Sequence, residues 1–485
     1  MILRGIVVAI ALVGAPWFNP WSAPLQNPGF EAPDGLHLGA PRNWFTLGAG
    51  SARLDLTDPH EGRRSVRLER DPQASAFGVG QSMTATRFRG RVVRVRAWMR
   101  AEALERPAEL WVRSDGGHDE PDTFVATAFA ATPEWRPVEV LSEIDPAADR
   151  LAIGASVSSA GSLWLDSVSI ELVAPGEAVP PSGAARDYID EAIARIRESA
   201  LDASRVDWDA ARRRSWIFAA GATTPAEARP AVGFLIRSLK DGHSRLLTPS
   251  ARGEIAHSGT EGSFGLASEV VRGTGYLRIA GFDAANVPAD RAFAAELGRR
   301  IDEVAARQPC GWILDLREDT GGNMFAMVGG LEPFLGVGDL GFFVRGGERR
   351  PWSARDFYSQ AREDLPRTPP AFGDASVALL IGERTASAGE SIAVAFRGRA
   401  HTRIFGQPTA GLSTVNQGFA LSDGSMAMLT VAVLADRNGN VYGSRIEPDE
   451  RVSPAGYFDL RLEDQPVVKR AAEWLSASAC RSPAR

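Results

Sequence analysis

Ser387 lies in Thr385-Ala386-Ser387-Ala388-Gly389-Glu390-Ser391, between the apolar run Val377 to Ile381 and a helical pattern carrying Ile392, Val394, Ala395 and Phe396. A short apolar run of this kind is a buried strand, which places the serine at a strand-to-helix turn. The first N–H groups of a helix have no partner inside it, and the positive end of its dipole lies there. Such donors suit a developing oxyanion, so a hydroxyl among them fits nucleophilic attack on a carbonyl. Helix capping by Thr385 or Ser387 is the competing role. A hydroxyl nucleophile also needs a base. The chain has six histidines: His37, His60, His118, His243, His257 and His401. His243 follows a helical pattern in the turn Asp241-Gly242-His243-Ser244, which can present an imidazole as a base. The alternative is a helix-terminating histidine held by the dipole. Gly321-Gly322 ends the apolar strand Gly311 to Arg317. It is either a plain turn or a backbone donor that approaches an oxyanion closely because no Cβ intervenes. Ala388 and one of Gly321 or Gly322 are therefore the candidate oxyanion-hole residues. No G-x-S-x-G occurs, which argues against an α/β-hydrolase esterase. No metal-ligand spacing is present, and nothing calls for a cofactor.

These residues need a scaffold. The chain has 485 residues, enough for two to four domains, with 44% hydrophobic and 24% charged residues as in ordinary globular proteins. The net charge of −6 is interspersed, and without a basic stripe a nucleic-acid partner is excluded. Beyond the N-terminus no run reaches membrane-spanning length. Arg4, the apolar Gly5 to Val13 and Gly14-Ala15-Pro16 have the shape of a secretory signal or N-terminal anchor over residues 1–23. That predicts an exported protein: periplasmic, cell-surface or secreted. Export permits a disulfide between Cys310 and Cys480. The two are taken here as buried free thiols, since sequence carries no geometry for a bridge.

Residues 24–173 form an all-β accessory domain. Arg91 to Arg100 alternates Val93, Val95, Ala97 and Met99 against Arg94, Arg96, Trp98 and Arg100, the pattern of a half-buried strand. Similar runs separated by turns make a β-sandwich. Residues 174–185, rich in proline, glycine and alanine, are a linker. A helical subdomain follows over 186–250. In it Thr224-Pro225-Ala226-Glu227 is a capping box with proline at the first helical position, and Pro230 should distort the first turns. Over 251–480 strands and helices alternate, which implies an α/β core with parallel pairing. Within it 338–373 is irregular and charged, Asp423-Gly424 marks a hairpin, and Asn438-Gly439 marks a turn.

Several pieces resemble known families. Asn27-Pro28-Gly29-Phe30-Glu31, Thr132 to Val138 and Gly161 to Val168 are similar to strands of jelly-roll carbohydrate-binding modules. The resemblance implies a possible glycan at the β-sandwich, stacked on Trp98, Trp111 or Trp135, though tryptophan in a sandwich is more often core. From about Arg186 to Ala479 the chain resembles the S41 serine peptidases, the tricorn-core-like and C-terminal-processing group. Leu239 to Ser244, Gly275 to Ile279, Ile313 to Gly322, Thr385 to Glu390, Gly406 to Gly411 and Ile446 to Asp449 match that group's motifs in order. The resemblance implies a crotonase-like (αββ) peptidase core, a peptide or protein substrate and Ser387 as nucleophile. The lysine used by the processing branch is missing from Thr409-Ala410-Gly411-Leu412-Ser413. Resemblance to the tricorn-like branch therefore makes His243 the base and Glu447 the third catalytic member, with Asp449 structural. Gly242 stands where that branch has a serine. The stretch between His243 and Gly275 is too short for a PDZ insert. The alternative is a catalytically weak binding protein on a peptidase scaffold, recognising a glycan or small apolar ligand.

Overall fold

The alternation of Val92–Glu102 buries Val93, Val95, Ala97 and Met99 and leaves Arg96 in solvent. This strand is part of a computed structural model that describes residues 25–34, 40–115, 123–173, 180–258, 264–282, 287–361, 371–453 and 461–478. The expected signal segment 1–23 lies outside the described residues, as do residues 174–179 of the expected linker and Cys480. Ten antiparallel strands make two five-stranded sheets in the N-terminal unit. One runs Phe45–Gly48, Phe77–Thr84, Arg150–Val157, Ala108–Asp115, Thr123–Phe129 across the sheet. The other runs Gly50–Asp55, Ser65–Arg70, Ser162–Leu172, Val92–Glu102, Thr132–Glu143. Side chains from both, among them Leu68, Val79, Val95, Leu110, Ile153 and Leu163, share one core, so the all-β sandwich is present. Trp111 lies in a small outer cluster with Leu47 and Phe124 at 4% exposure, which makes it core. A Cβ on Gly80 or Gly154 would strike its ring, at 2.8 and 2.4 Å. Trp98 and Trp135 are half-buried, and the His60 ring stacks on Trp98 with centroids 3.9 Å apart.

The chain divides into two compact units. Residues 183–212 and 224–485 fall in one, and residues 213–223 group with the sandwich. The helix Gly183–Ser199 begins inside the stretch expected as linker. The helix Pro225–Arg237 has the expected capping box, with Thr224 accepting from Glu227 N–H. It continues through Pro230 without interruption.

The C-terminal unit is built on a six-stranded sheet in the order Ala267–Val271, Thr274–Arg278, Trp312–Asp315, Val377–Ile381, Thr402–Gly406, Glu450–Arg451. From Thr274–Arg278 onward every pairing is parallel, as the alternation of strands and helices requires. The helices Val287–Ala305, Met324–Gly330 and Ala388–Phe396 bury Phe293, Leu297, Met327 and Ile392 in one core with strand residues Leu314 and Leu379. Pro466–Ser478 packs Val468 and Leu475 in a second cluster with Ile313 and Leu380. A second sheet is antiparallel. Its long strand Met426–Asp436 pairs with Thr414–Ala420 on one side and with Arg245–Leu247 and Asp339–Arg345 on the other. Asp423-Gly424 lies in the expected hairpin. Two further expectations are corrected. Residues 338–373 are not irregular throughout: Asp339–Arg345 and Glu348–Ser353 form a hairpin, and Ala354–Ala361 is a helix. Gly346 and Gly347 both take positive φ there, as a tight hairpin turn needs. Cys310 is disulfide-bonded, so it is not a free thiol.

Candidate active site

The turn that carries Ser387 is set by contacts that leave it little freedom. Val377–Ile381 is buried along its whole length, and the chain turns at Gly382. Thr385 Oγ1 accepts from Gly382 N–H (3.0 Å) and donates to the Leu316 carbonyl (2.8 Å), tying the turn to the neighbouring strand. Ala386 N–H donates to the Asp319 carbonyl at 2.9 Å. Ser387 then sits at φ 52°, ψ −112°, a backbone conformation costly for a residue with a Cβ. Its N–H donates to Glu390 Oε2 at 2.9 Å, and the helix Ala388–Phe396 starts one residue later. The serine therefore stands at a helix N-terminus on a strained, over-determined turn.

Glu390 anchors this turn from beneath. Its carboxylate is fully buried and accepts from Ser387 N–H, Leu412 N–H (2.8 Å), Gly411 N–H (3.0 Å) and Thr409 Oγ1 (2.5 Å). Burial raises its pKa above the ordinary glutamate range, and these hydrogen bonds pull it partly back. The glycine turn lies opposite. Gly321 has φ +105°, and its N–H donates to Asp319 Oδ1 at 3.0 Å. A Cβ on Gly321 would lie 2.8 Å from Ser387 Cβ. Glycine is thus required by the approach of the two turns. The Gly321 N–H is committed to Asp319. Among the described residues no hydrogen bond engages the N–H of Gly322 or Ala388.

His243 comes from a different part of the chain. Asp241 Oδ1 accepts from the N–H groups of His243 and Ser244, and Gly242 takes φ +65° to close the turn. Asn416 Nδ2 donates to the His243 carbonyl at 2.9 Å. The imidazole, 5% exposed, is held at both nitrogens. Nε2 lies 2.9 Å from Ser387 Oγ, and Nδ1 lies 2.7 Å from Thr414 Oγ1. With the proton on Nδ1 the ring donates to Thr414, and Nε2 accepts from Ser387. A general base requires that tautomer.

The structure thus brings Ser387, His243, Ala388, Gly321 and Gly322 into one site and leaves Glu447 out. The Glu447 carboxylate pairs with Arg451 Nη2 at 2.6 Å and is 57% exposed, and its carbonyl accepts from Arg397. Asp449 also pairs with Arg397 and accepts from Ile404 N–H, a structural role. Thr414, in the strand Thr414–Ala420, occupies the position expected of Glu447. Thr414, Asn416 and the anchoring role of Glu390 escape sequence reasoning. No local motif marks the first two, while Glu390 stands three residues after Ser387 in a capping-box spacing.

A serine hydroxyl hydrogen-bonded to an imidazole, at the head of a helix on a largely parallel sheet, is an arrangement that can support nucleophilic attack on a carbonyl. Residues 273–452, within the C-terminal unit, match the model of Peptidase family S41. The nisin-resistance protein of Lactococcus lactis subsp. lactis is 32% identical over 149 residues, covering 30% of this chain and 47% of that protein. The chloroplastic carboxyl-terminal-processing peptidase 1 of Arabidopsis thaliana is 27% identical over 182 residues, covering 37% of this chain and 34% of that protein. The chain spans less than half the length of either curated relative. The structure of a lipoprotein from Streptococcus agalactiae superposes with a TM-score of 0.52 at 23% identity, over 61% of this chain and 97% of that one. The last likeness concerns the fold.

Proposed function

We propose that this protein is an exported serine peptidase in which Ser387 is the nucleophile and His243 the general base. The observation that carries this is the 2.9 Å contact between His243 Nε2 and Ser387 Oγ, which lies within the reach proton transfer needs. A binding protein on the same scaffold would have no use for that pairing. Ser387 Oγ attacks the scissile carbonyl carbon as Nε2 takes its proton. The N–H groups of Ala388 and Gly322 receive the oxyanion at the helix N-terminus. The imidazolium returns the proton to the departing amine, leaving an acyl ester on Ser387. Water then attacks that ester, giving its proton to Nε2, and Ser387 leaves as the hydroxyl. Thr414 Oγ1 accepts from Nδ1–H and so favours the tautomer that leaves Nε2 as the acceptor facing Ser387.

A fluorophosphonate probe on the purified full chain tests this. Wild type is expected to label at Ser387, Ser387→Ala not at all, and His243→Ala at least about a hundredfold more slowly. Labelling that persists in Ser387→Ala overturns the assignment. Export rests on the signal-like N-terminus and on the similar Streptococcus protein being a lipoprotein. Retention of the expressed protein in the cytoplasmic fraction would refute it. The sandwich is proposed to face glycans through Trp98 and Trp135, since Trp111 is core. Silence of full-chain Ser387→Ala across broad glycan arrays would instead make the domain structural.

A further inference from the structure

Sheet edges carry unpaired N–H and C=O groups, and proteins blunt them with charge, proline or short length. Among the described residues, the C-terminal unit does so at four of its edge strands. Arg245 begins the three-residue strand Arg245–Leu247, and Glu269 lies within Ala267–Val271. The last edge is only Glu450–Arg451, and Glu348–Ser353 carries Glu348, Arg349 and Pro351. The strand Thr414–Ala420, Thr-Val-Asn-Gln-Gly-Phe-Ala, is the exception, with seven residues, no charge and no proline. Among the described residues it pairs on one side only, with Met426–Asp436, and Gln417, Gly418 and Ala420 are exposed.

This bare edge starts at the catalytic pair. Thr414 bonds His243 Nδ1, and Asn416 holds the His243 carbonyl while accepting from Thr430 Oγ1 at 3.1 Å. The strand is therefore locked in register with the base, and its remaining residues lead away from the site. We propose that the outer edge of Thr414–Ala420 takes an extended segment of the substrate as an added strand. This deepens the peptidase reading and rests on it. The occupant is a peptide because the edge continues from a peptidase-type site and offers main-chain donors and acceptors. It must be extended, since a helix has no free backbone groups to pair. At about 3.4 Å per residue, seven residues present roughly 20 Å of edge, enough for about five or six substrate residues on one side of the scissile bond. Recognition through main chain tolerates many side chains. The substrate class is thus unfolded or locally extended polypeptide, chosen by conformation more than by sequence.

The test uses the full chain and a denatured-proteome peptide library, with products read by mass spectrometry. Proline in place of Gln417 removes one N–H from the strand. Gln417→Pro is expected to lose at least about tenfold in library cleavage while fluorophosphonate labelling stays within about twofold, because the small probe needs no edge. Hydrogen exchange on Ser387→Ala supplies a second measurement that is independent of that variant's folding. The library should protect 414–420 and leave 348–353 unchanged. Unaltered exchange at 414–420, or wild-type library cleavage by Gln417→Pro, overturns the proposal. So does a wild type that labels but neither cleaves nor binds any library peptide. Protection of 414–420 in a protein that fails to label would sink the peptidase reading and leave the edge as a peptide-binding site.

Discussion

Glu390→Gln probes the anchor of the Ser387 turn with almost no change of shape. In wild type two donors converge on each carboxylate oxygen: Thr409 Oγ1 and Gly411 N–H on Oε1, Ser387 N–H and Leu412 N–H on Oε2. Glutamine keeps one acceptor oxygen and turns an amide NH2 toward the other pair of donors. Two hydrogen bonds to a charged acceptor are lost, each worth about 1.5–3 kcal/mol. Removing a buried charge offsets part of that loss, leaving a net cost of about 3 kcal/mol. For a unit of this size the melting temperature should fall by on the order of 10 °C. Either orientation of the amide frees one side of the clamp, and if Oε2 is replaced the Ser387 N–H loses its acceptor. Labelling should slow even at temperatures where the variant is folded. The pH dependence has a definite sign. Burial raises the Glu390 pKa, so the folded state binds its proton more tightly than the unfolded state does. The stability this contributes is present at acidic pH and is lost as pH rises through the ordinary glutamate range and up to the raised folded value. Glutamine removes that slope. Thermal unfolding of both proteins between acidic and neutral pH, alongside labelling rates, measures all three effects. A variant within about 0.5 kcal/mol of wild type that labels at the wild-type rate would show that the four-donor clamp does not hold the turn.

Thr414→Val removes the hydroxyl facing His243 Nδ1 while keeping the branched shape. Labelling should drop on the order of tenfold, the worth of one neutral hydrogen bond, and Thr414→Ser should restore most of it. Equal rates for valine and serine would remove Thr414 from the site. Gly321→Ala places a Cβ 2.8 Å from Ser387 Cβ at a φ of +105°. The displaced hydroxyl should cost on the order of a hundredfold in labelling, with circular dichroism checking that the fold persists. Glu447→Gln removes an exposed pair with Arg451 and should leave labelling within about twofold and stability within about 0.5 kcal/mol. A large loss of labelling there would reinstate Glu447 as the third catalytic member.

Local pattern carries much of this architecture. The period-two alternation of Val92–Glu102, the capping box at Thr224 and the apolar run Val377–Ile381 each appear where short-range chemistry places them. Ser387, His243 and the glycine pair carry local marks, because a strand-to-helix turn, a presenting turn and a close backbone approach each need particular residue types. Thr414 had no such mark. Its hydroxyl reaches His243 only because a register irregularity between Val415 and Asn416 and the pairing with Met426–Asp436 fix where it sits. That is long-range information, absent from any window of sequence. Glu447 failed for the converse reason. A motif placed it near the right point of the chain, but Arg451, one helical turn's spacing away, takes its carboxylate. The hairpin at Asp339–Ser353 was hidden by its charge, which belongs to an exposed edge and not to disorder.

The separation of His243 from Ser387 and Thr414 along the chain has a consequence for the order of synthesis. His243, the proposed base, precedes Ser387 by 144 residues and Thr414, which bonds its other ring nitrogen, by 171. At about 5–20 residues per second, a growing chain carries the imidazole for roughly 10 to 30 s before its partners exist. Strand Met426–Asp436, on which the Thr414 strand must pair, comes later still. A nascent chain therefore has neither ring contact of His243 in place until Thr414–Ala420 has paired with Met426–Asp436, and on the proposed reading it gains a paired base only then.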